Sequence, residues 1–220
     1  MTLNVNPIKG ILKPKAYRTE LQEAKDYSHY KLNILLFFLL SIGVYVISAT
    51  LGIGTESLSS ELSSISNHAL EARKQLFLIG RLLQGLLIPC VLIFGTALYY
   101  FAFINGDFKK LVIVQLIVFS IFLIEKIIQI PLFLLLNIDE TSNIFSLGII
   151  AQYLTHSKVI IHFLGELTLF RIAMLIYSYY YLSRIVEVRK KVLLVAVGIL
   201  FLLYWVFVSF MSYIKIGFFF

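Results

Sequence analysis

The chain has 220 residues, of which 60% are hydrophobic and 14% charged, with a formal charge of +7 and a mean hydropathy of +0.91. That composition excludes an ordinary soluble domain, and the lack of period-two alternation excludes a β-barrel. Lys and Arg cluster in short segments flanking apolar blocks, a pattern that orients a membrane protein rather than one that grips nucleic acid.

Residues 1–31 form a basic segment containing Lys9, Lys13, Lys15, Arg18, Lys25 and Lys31, punctuated by Pro7 and Pro14. After Pro14, residues 16–27 (AYRTELQEAKDY) carry exposed charges of alternating sign. They predict a short helix at the membrane surface, with a disordered basic tail as the alternative. The first apolar block begins only at Leu32, so it reads as an uncleaved signal anchor rather than a removable signal peptide. No terminal lipidation motif is present.

The first span runs over residues 32–54. A Ser- and Glu-rich linker, residues 55–74, follows, in which Leu58, Leu62 and Ile65 recur at helical steps. The second span, 76–104, is long for a bilayer, and tilt or a kink at Pro89 accommodates it. Its Cys90, the single cysteine, can form no internal disulfide and reads as a packing residue. The turn NGDFKK, Asn105–Lys110, leads into the third span, 111–136.

This third span is the stretch that organises the chain. Twenty of its residues are Leu, Ile, Val or Phe, which favour insertion by about 6 to 12 kcal/mol. Glu125 and Lys126, side by side beyond its midpoint, cost about 5 to 7 kcal/mol. Insertion wins, but the two charges and Gln129 must turn toward protein or trapped water. The helix therefore needs neighbours.

Residues 144–154 are apolar but too short to cross, and suit the interface. The fourth span, 159–182, contains His162, Glu166 and Arg171 and ends in a cluster, Tyr177, Tyr179, Tyr180 and Tyr181, that reads as an interfacial belt. A basic loop with Arg184, Arg189, Lys190 and Lys191 precedes the fifth span, 192–214, and a short external tail, 215–220. The fold class is thus all-α: a polytopic membrane protein with five transmembrane helices. With 12 Lys and Arg on one side and four on the other, the N-terminus is in and the C-terminus out.

On this topology Arg81, Glu125, Lys126, His162 and Glu166 fall in the outer half of the membrane. His162 and Glu166, four apart, share a helical face, whereas Arg171 points elsewhere. With Gln129 one turn beyond Glu125, these residues predict a mutually neutralising network linking the second, third and fourth spans. It either fixes helix register or lines a proton or ligand pathway; snorkelling of Arg81 and Lys126 is the third possibility. Enzyme chemistry lacks a site: there is no HExxH, GxSxG or Walker A sequence, and His162 with Glu166 do not complete a metal centre. No catalytic residue, metal or cofactor is expected.

The proline–lysine opening (ILKPKAYRTEL, Ile11–Leu21), the five spans and the Gly106-Asp107-Phe108 turn together resemble the Yip (Ypt-interacting-protein-like) membrane domain family in its bacterial branch. The resemblance covers about Ile11 to Tyr213. It implies a non-enzymatic five-helix protein with a cytoplasmic N-terminus. Eukaryotic relatives engage small GTPases in vesicle traffic, and some bacterial ones accompany ABC exporters tied to antimicrobial-peptide resistance, which implies membrane-protein partners such as ABC transporter subunits in the bacterial inner membrane. The other reading is a small transporter or channel-like protein with an intramembrane polar path.

Overall fold

A computed structural model describes residues 2–55, 67–104, 106–136, 138 and 143–213, without the side chains of residues 67–69, 158, 159, 162 and 211–213. The helical reading of the linker at residues 58–65 and the tail 215–220 lie outside the described residues. The chain is predominantly helical. Four helices are long and apolar enough to cross a membrane: Tyr30–Thr50, Leu70–Ile104, Phe108–Leu136 and Lys190–Phe210.

The third of these is the axis of the molecule. Every residue from 111 to 123 in it is buried, Gln115 and Ser120 included, because the N-terminal segment and the neighbouring helices pack around it. Beyond that point the helix acquires an outer face. Ile124, Ile127 and Ile128 are exposed while Glu125, Gln129 and Phe133, spaced by four, turn inward.

Around the start of this axis residues 2–28 fold into a cap. Strand β1 (Thr2–Asn4) pairs in parallel with β2 (Asp26–Ser28), Thr2 opposite Asp26. Between them lie α1 (Pro7–Leu12) and α2 (Pro14–Glu23), each with proline in its first turn, where a missing N–H costs nothing. Asn6 caps α1 by accepting from the Lys9 amide. Tyr17 and Leu21 of α2 are fully buried, and Lys9 Nζ meets Glu20 Oε2 at 2.8 Å. The N-terminal segment is therefore a small folded unit with a β pair of its own. The surface-helix expectation found α2 but not its burial.

The bundle starts with α3 (Tyr30–Thr50), followed by α4 (Asn67–Pro89). Their crossing is set by Gly85: a Cβ there would lie 2.8 Å from the Ile42 Cα, so the two backbones touch. Gly85→Val must separate them. We expect a loss of about 1–3 kcal/mol, read as a lower midpoint in detergent unfolding, whereas Gly43→Ala, which has open space around it, leaves the midpoint unchanged. Equal midpoints for the two variants would refute the close crossing.

Pro89 ends α4 without breaking the rod. The following turn, Cys90–Gly95, is π-helical and passes directly into α5 (Thr96–Ile104). A proline removes one helical donor and crowds the preceding carbonyl, and a wider turn absorbs both effects. Cys90 itself is exposed. It does not pack in the core as its apolar surroundings suggested, because the π turn directs Leu92 and Ile93 inward instead.

After the axial helix α6 (Phe108–Leu136) come two short helices, α7 (Gly148–Leu154) and α8 (Lys158–Gly165), then α9 (Leu169–Ile185) and α10 (Lys190–Tyr213). The expected single span over 159–182 is thus two helices. Gly165 ends the first, and the Thr168 hydroxyl caps the second by accepting from the Arg171 amide. Backbone groups in the gap are satisfied by a bridge between Ser146 and Thr168. A Cβ on Gly148 would lie 2.6 Å from the Gly165 Cα, so α7 folds back directly onto α8.

Of the four tyrosines at the end of α9, Tyr177, Tyr180 and Tyr181 are turned to the cap rather than into a lipid-facing belt. Tyr181 is fully buried and its hydroxyl donates to the Gly10 carbonyl at 2.7 Å; the Tyr177 hydroxyl donates to that of Ile11 at 3.2 Å. The Arg18 guanidinium lies 4.0 Å from the Tyr180 ring centre. These side chains hold the cap on the bundle. A tyrosine hydroxyl at the end of an apolar body serves either environment, and tertiary contact selected this one.

Candidate functional site: a distal polar cluster and a side cavity

The residues that sequence reasoning singled out separate into two groups at the end of the bundle far from the cap. In the first, Arg171 Nη1 contacts Glu166 Oε2 at 2.7 Å and donates to the Glu166 carbonyl, also at 2.7 Å. Its guanidinium lies 5.6 Å from the centre of the Tyr204 ring. The helical-wheel expectation that Arg171 points away from Glu166 is overturned here. With the helix interrupted at residues 166–168, a single helical wheel no longer places the two side chains. Glu125, 2% exposed, lies within electrostatic range of the same arginine. Its Oε1 accepts from Gln129 Nε2 at 3.2 Å and from Asn143 Nδ2 at 3.4 Å, and its Oε2 has no partner among the described residues.

The second group is cationic. Arg81 is buried; its Nη2 donates to the Ile53 carbonyl at 3.3 Å, its Nη1 to Gln84, and its guanidinium lies over Phe77. Half-buried Lys126 lines the same crevice with Gln129, Tyr45 and Phe133. The crevice holds about 20 Å³, room for one water molecule. The structure thus brings Glu125, Gln129, Glu166 and Arg171 into one neighbourhood and Arg81 with Lys126 into an adjoining one. His162 lies on α8, its side chain outside the described residues. Among the described residues no group of three His, Cys, Asp or Glu side chains is placed to hold a metal.

Sequence reasoning missed Asn143, Tyr204 and Thr168. Of these only Thr168 had a readable signal: a hydroxyl residue three positions after a glycine, at the start of a new apolar run.

A separate cavity of about 380 Å³ opens between the π turn, α5, α6, α9 and α10, a size typical of small-ligand sites. Leu92, Phe119, Met174, Val197 and Leu200 make its wall apolar, with Gln115, Tyr100 and Ser178 toward the cap end and Arg171 and Tyr204 at the other. The residues 171 and 178 that bracket it on α9 are two turns apart, about 10 Å.

Outside the bundle, in the cap, burial pushes the Tyr17 phenol above its ordinary pKa. The Tyr27 phenol is pushed up to about 12, by burial and then by the Asp107 carboxylate of the α5–α6 turn. Within the cap, the Tyr17 hydroxyl accepts from the Asn6 amide at 3.1 Å and the Tyr27 hydroxyl donates to the Ala24 carbonyl at 3.4 Å.

Comparison with known protein families, with curated proteins and with solved structures finds no match. What the fold defines is the class: a helical protein with four helices of membrane-crossing length and apolarity.

Proposed function

We propose that this is a bacterial inner-membrane protein with five crossings that acts by binding, as an accessory or regulatory partner of an ABC-exporter-like transporter in resistance to membrane-active peptides. In this reading α9 is the fourth crossing. Its 17 residues reach about 25 Å, and α8 with the capped break at Thr168 fills the remaining depth. The cap, the α5–α6 turn and the α9–α10 loop share one end of the bundle, joined by Lys110 to the Gln22 carbonyl and by Tyr181 to Gly10. The exposed Lys13, Lys15, Lys25, Lys109, Arg184 and Arg189 all belong to that end, as a cytoplasmic N-terminus requires. The family resemblance to Yip proteins supplies the exporter and the peptide-resistance context.

The observation that carries the binding reading is the cap itself. A segment keyed into the bundle by three tyrosines presents a preorganised basic surface, and preorganisation lowers the entropic cost of association. The polar cluster, by contrast, pairs Arg171 with Glu166 internally, and residues 111–123 close the cap half of the axis with apolar side chains except Gln115 and Ser120.

The test is mild-detergent extraction of the tagged full chain from its native membrane, followed by mass spectrometry. A stoichiometric ABC permease subunit is expected, and it should be lost when Lys13, Lys15 and Lys25 are changed to Glu. Recovery of the lone protein would overturn this reading. It would favour a small transporter, for which the specific argument is the buried Glu125 oxygen that has no partner among the described residues. Liposome flux abolished in a Glu125→Gln, Lys126→Gln double variant would then establish that alternative.

A further inference from the structure

We propose that the side cavity binds one chain of an acyl lipid, whose carbonyl oxygen accepts hydrogen bonds from Gln115 and Tyr100. This inference is independent of any protein partner. Three observations lead to it.

The first is the character of the mouth. Val91, Leu203 and Phe207, which line the cavity, are more than half exposed, so it opens onto the apolar flank of the bundle. In a membrane that flank faces hydrocarbon, and the molecules with access are lipids. The second is the inner wall. Gln115 and Tyr100, 2% and 1% exposed, both line the cavity; the Gln115 amide nitrogen has no hydrogen-bond partner among the described residues, and the Tyr100 hydroxyl has only the Ser178 hydroxyl beside it. Buried donors are rarely left unpaired, since no water reaches them in hydrocarbon. The amide nitrogen can only donate, so its missing partner is an acceptor, and the Tyr100 hydroxyl can donate alongside it. A plain hydrocarbon would leave that nitrogen unsatisfied; an ester or acid carbonyl at the head of an alkyl chain would not.

The third is depth. Gln115 lies five residues beyond Lys110, about 7.5 Å along α6. With Lys110 at the headgroup level, that distance places Gln115 where the acyl carbonyls of a bilayer begin. From there the apolar wall continues for about two helical turns toward Arg171 and Tyr204, and the chain would run along it beside Leu200 and Leu175. The π turn contributes Val91, Leu92 and Gly95 to this wall, which gives the local widening after Pro89 a role; such turns recur at functional sites.

Gly95 makes a clean test. A Cβ there would meet only the Val91 Cγ1, at an ordinary 3.8 Å, so Gly95→Leu can fill the cavity without displacing backbone. Wild type, Gly95→Leu and Gln115→Leu would be purified in mild detergent, exchanged exhaustively, and their retained lipid quantified by mass spectrometry. The wild type should keep about one acyl lipid per chain, since the cavity of about 380 Å³ has one polar end, at Gln115 and Tyr100, for a carbonyl. Gly95→Leu should keep almost none. Gln115→Leu, close in volume but without the donor, should bind about tenfold more weakly. Adding back either a free fatty acid or a phosphatidylglycerol of the same chain length identifies the source by which one restores occupancy. Equal retention by wild type and a monodisperse Gly95→Leu, or add-back that restores neither, would overturn the proposal. Should Gly95→Leu not purify, Leu200→Trp fills the same wall from α10 and is read identically.

Discussion

Replacing Gly10 with valine should release the cap from the bundle. Gly10 packs so closely on the axial helix that a Cβ would lie 2.8 and 2.9 Å from the Ile117 side chain, which is itself fully buried. Overpacking of this kind costs about 1–3 kcal/mol. The Gly10 carbonyl is also the partner of the buried Tyr181 hydroxyl, and an orphaned buried donor adds about 1–3 kcal/mol more. Each 1.4 kcal/mol raises the undocked fraction about tenfold. Limited trypsin digestion reads this directly, since Lys13, Lys15 and Arg18 lie in or beside α2. We expect cleavage there to accelerate by more than about tenfold in Gly10→Val, and by less in Gly10→Ala. Unchanged cleavage would show that the cap does not depend on this contact.

The second large effect is expected at Arg171. Its side chain is 11% exposed and that of Glu166 21%, so Arg171→Met leaves a largely buried carboxylate without its cation, next to Glu125. Breaking one side of such a pair costs about 3–5 kcal/mol. Removing both charges together, Arg171→Met with Glu166→Gln, should recover most of the loss, because two buried charges that need each other are close to neutral as a pair. Detergent unfolding of the two single variants and the double variant measures this coupling. If the double variant is as unstable as the sum of the singles, the ion pair is not what holds α9 to the break before it.

Glu125→Gln should be far milder. A glutamine keeps the shape and still accepts from Gln129 and Asn143. The difference between Arg171 and Glu125 was not legible in the sequence, where both appear as charges inside apolar spans. It arises because Asn143 and Gln129 reach one carboxylate while the break at Gly165 to Thr168 returns the other to its own arginine. The apolar content of residues 159–182 hid that break. The sequence is hydrophobic enough for one helix, yet backbone hydrogen bonding through Ser146 and Thr168 and the touching pair Gly148 and Gly165 favour two.

The sequence by itself determined the class, the axial helix and the inward turn of Glu125 and Gln129. These follow from local quantities: the length of apolar runs, their 3.6-residue period, and the cost of charge in hydrocarbon. Only the tertiary structure decided that residues 2–28 form a cap, that Tyr177 and Tyr181 serve that cap rather than the lipid, that Arg171 meets Glu166, and that a cavity remains beside Gln115. Each of these depends on groups far apart in the chain. Leu3 lies opposite Tyr27, and Gly10 meets Ile117 and Tyr181. Such contacts are chosen by which surfaces fit once the helices are assembled, and close packing tests fit at every methyl group, a scale that periodicity and composition do not carry.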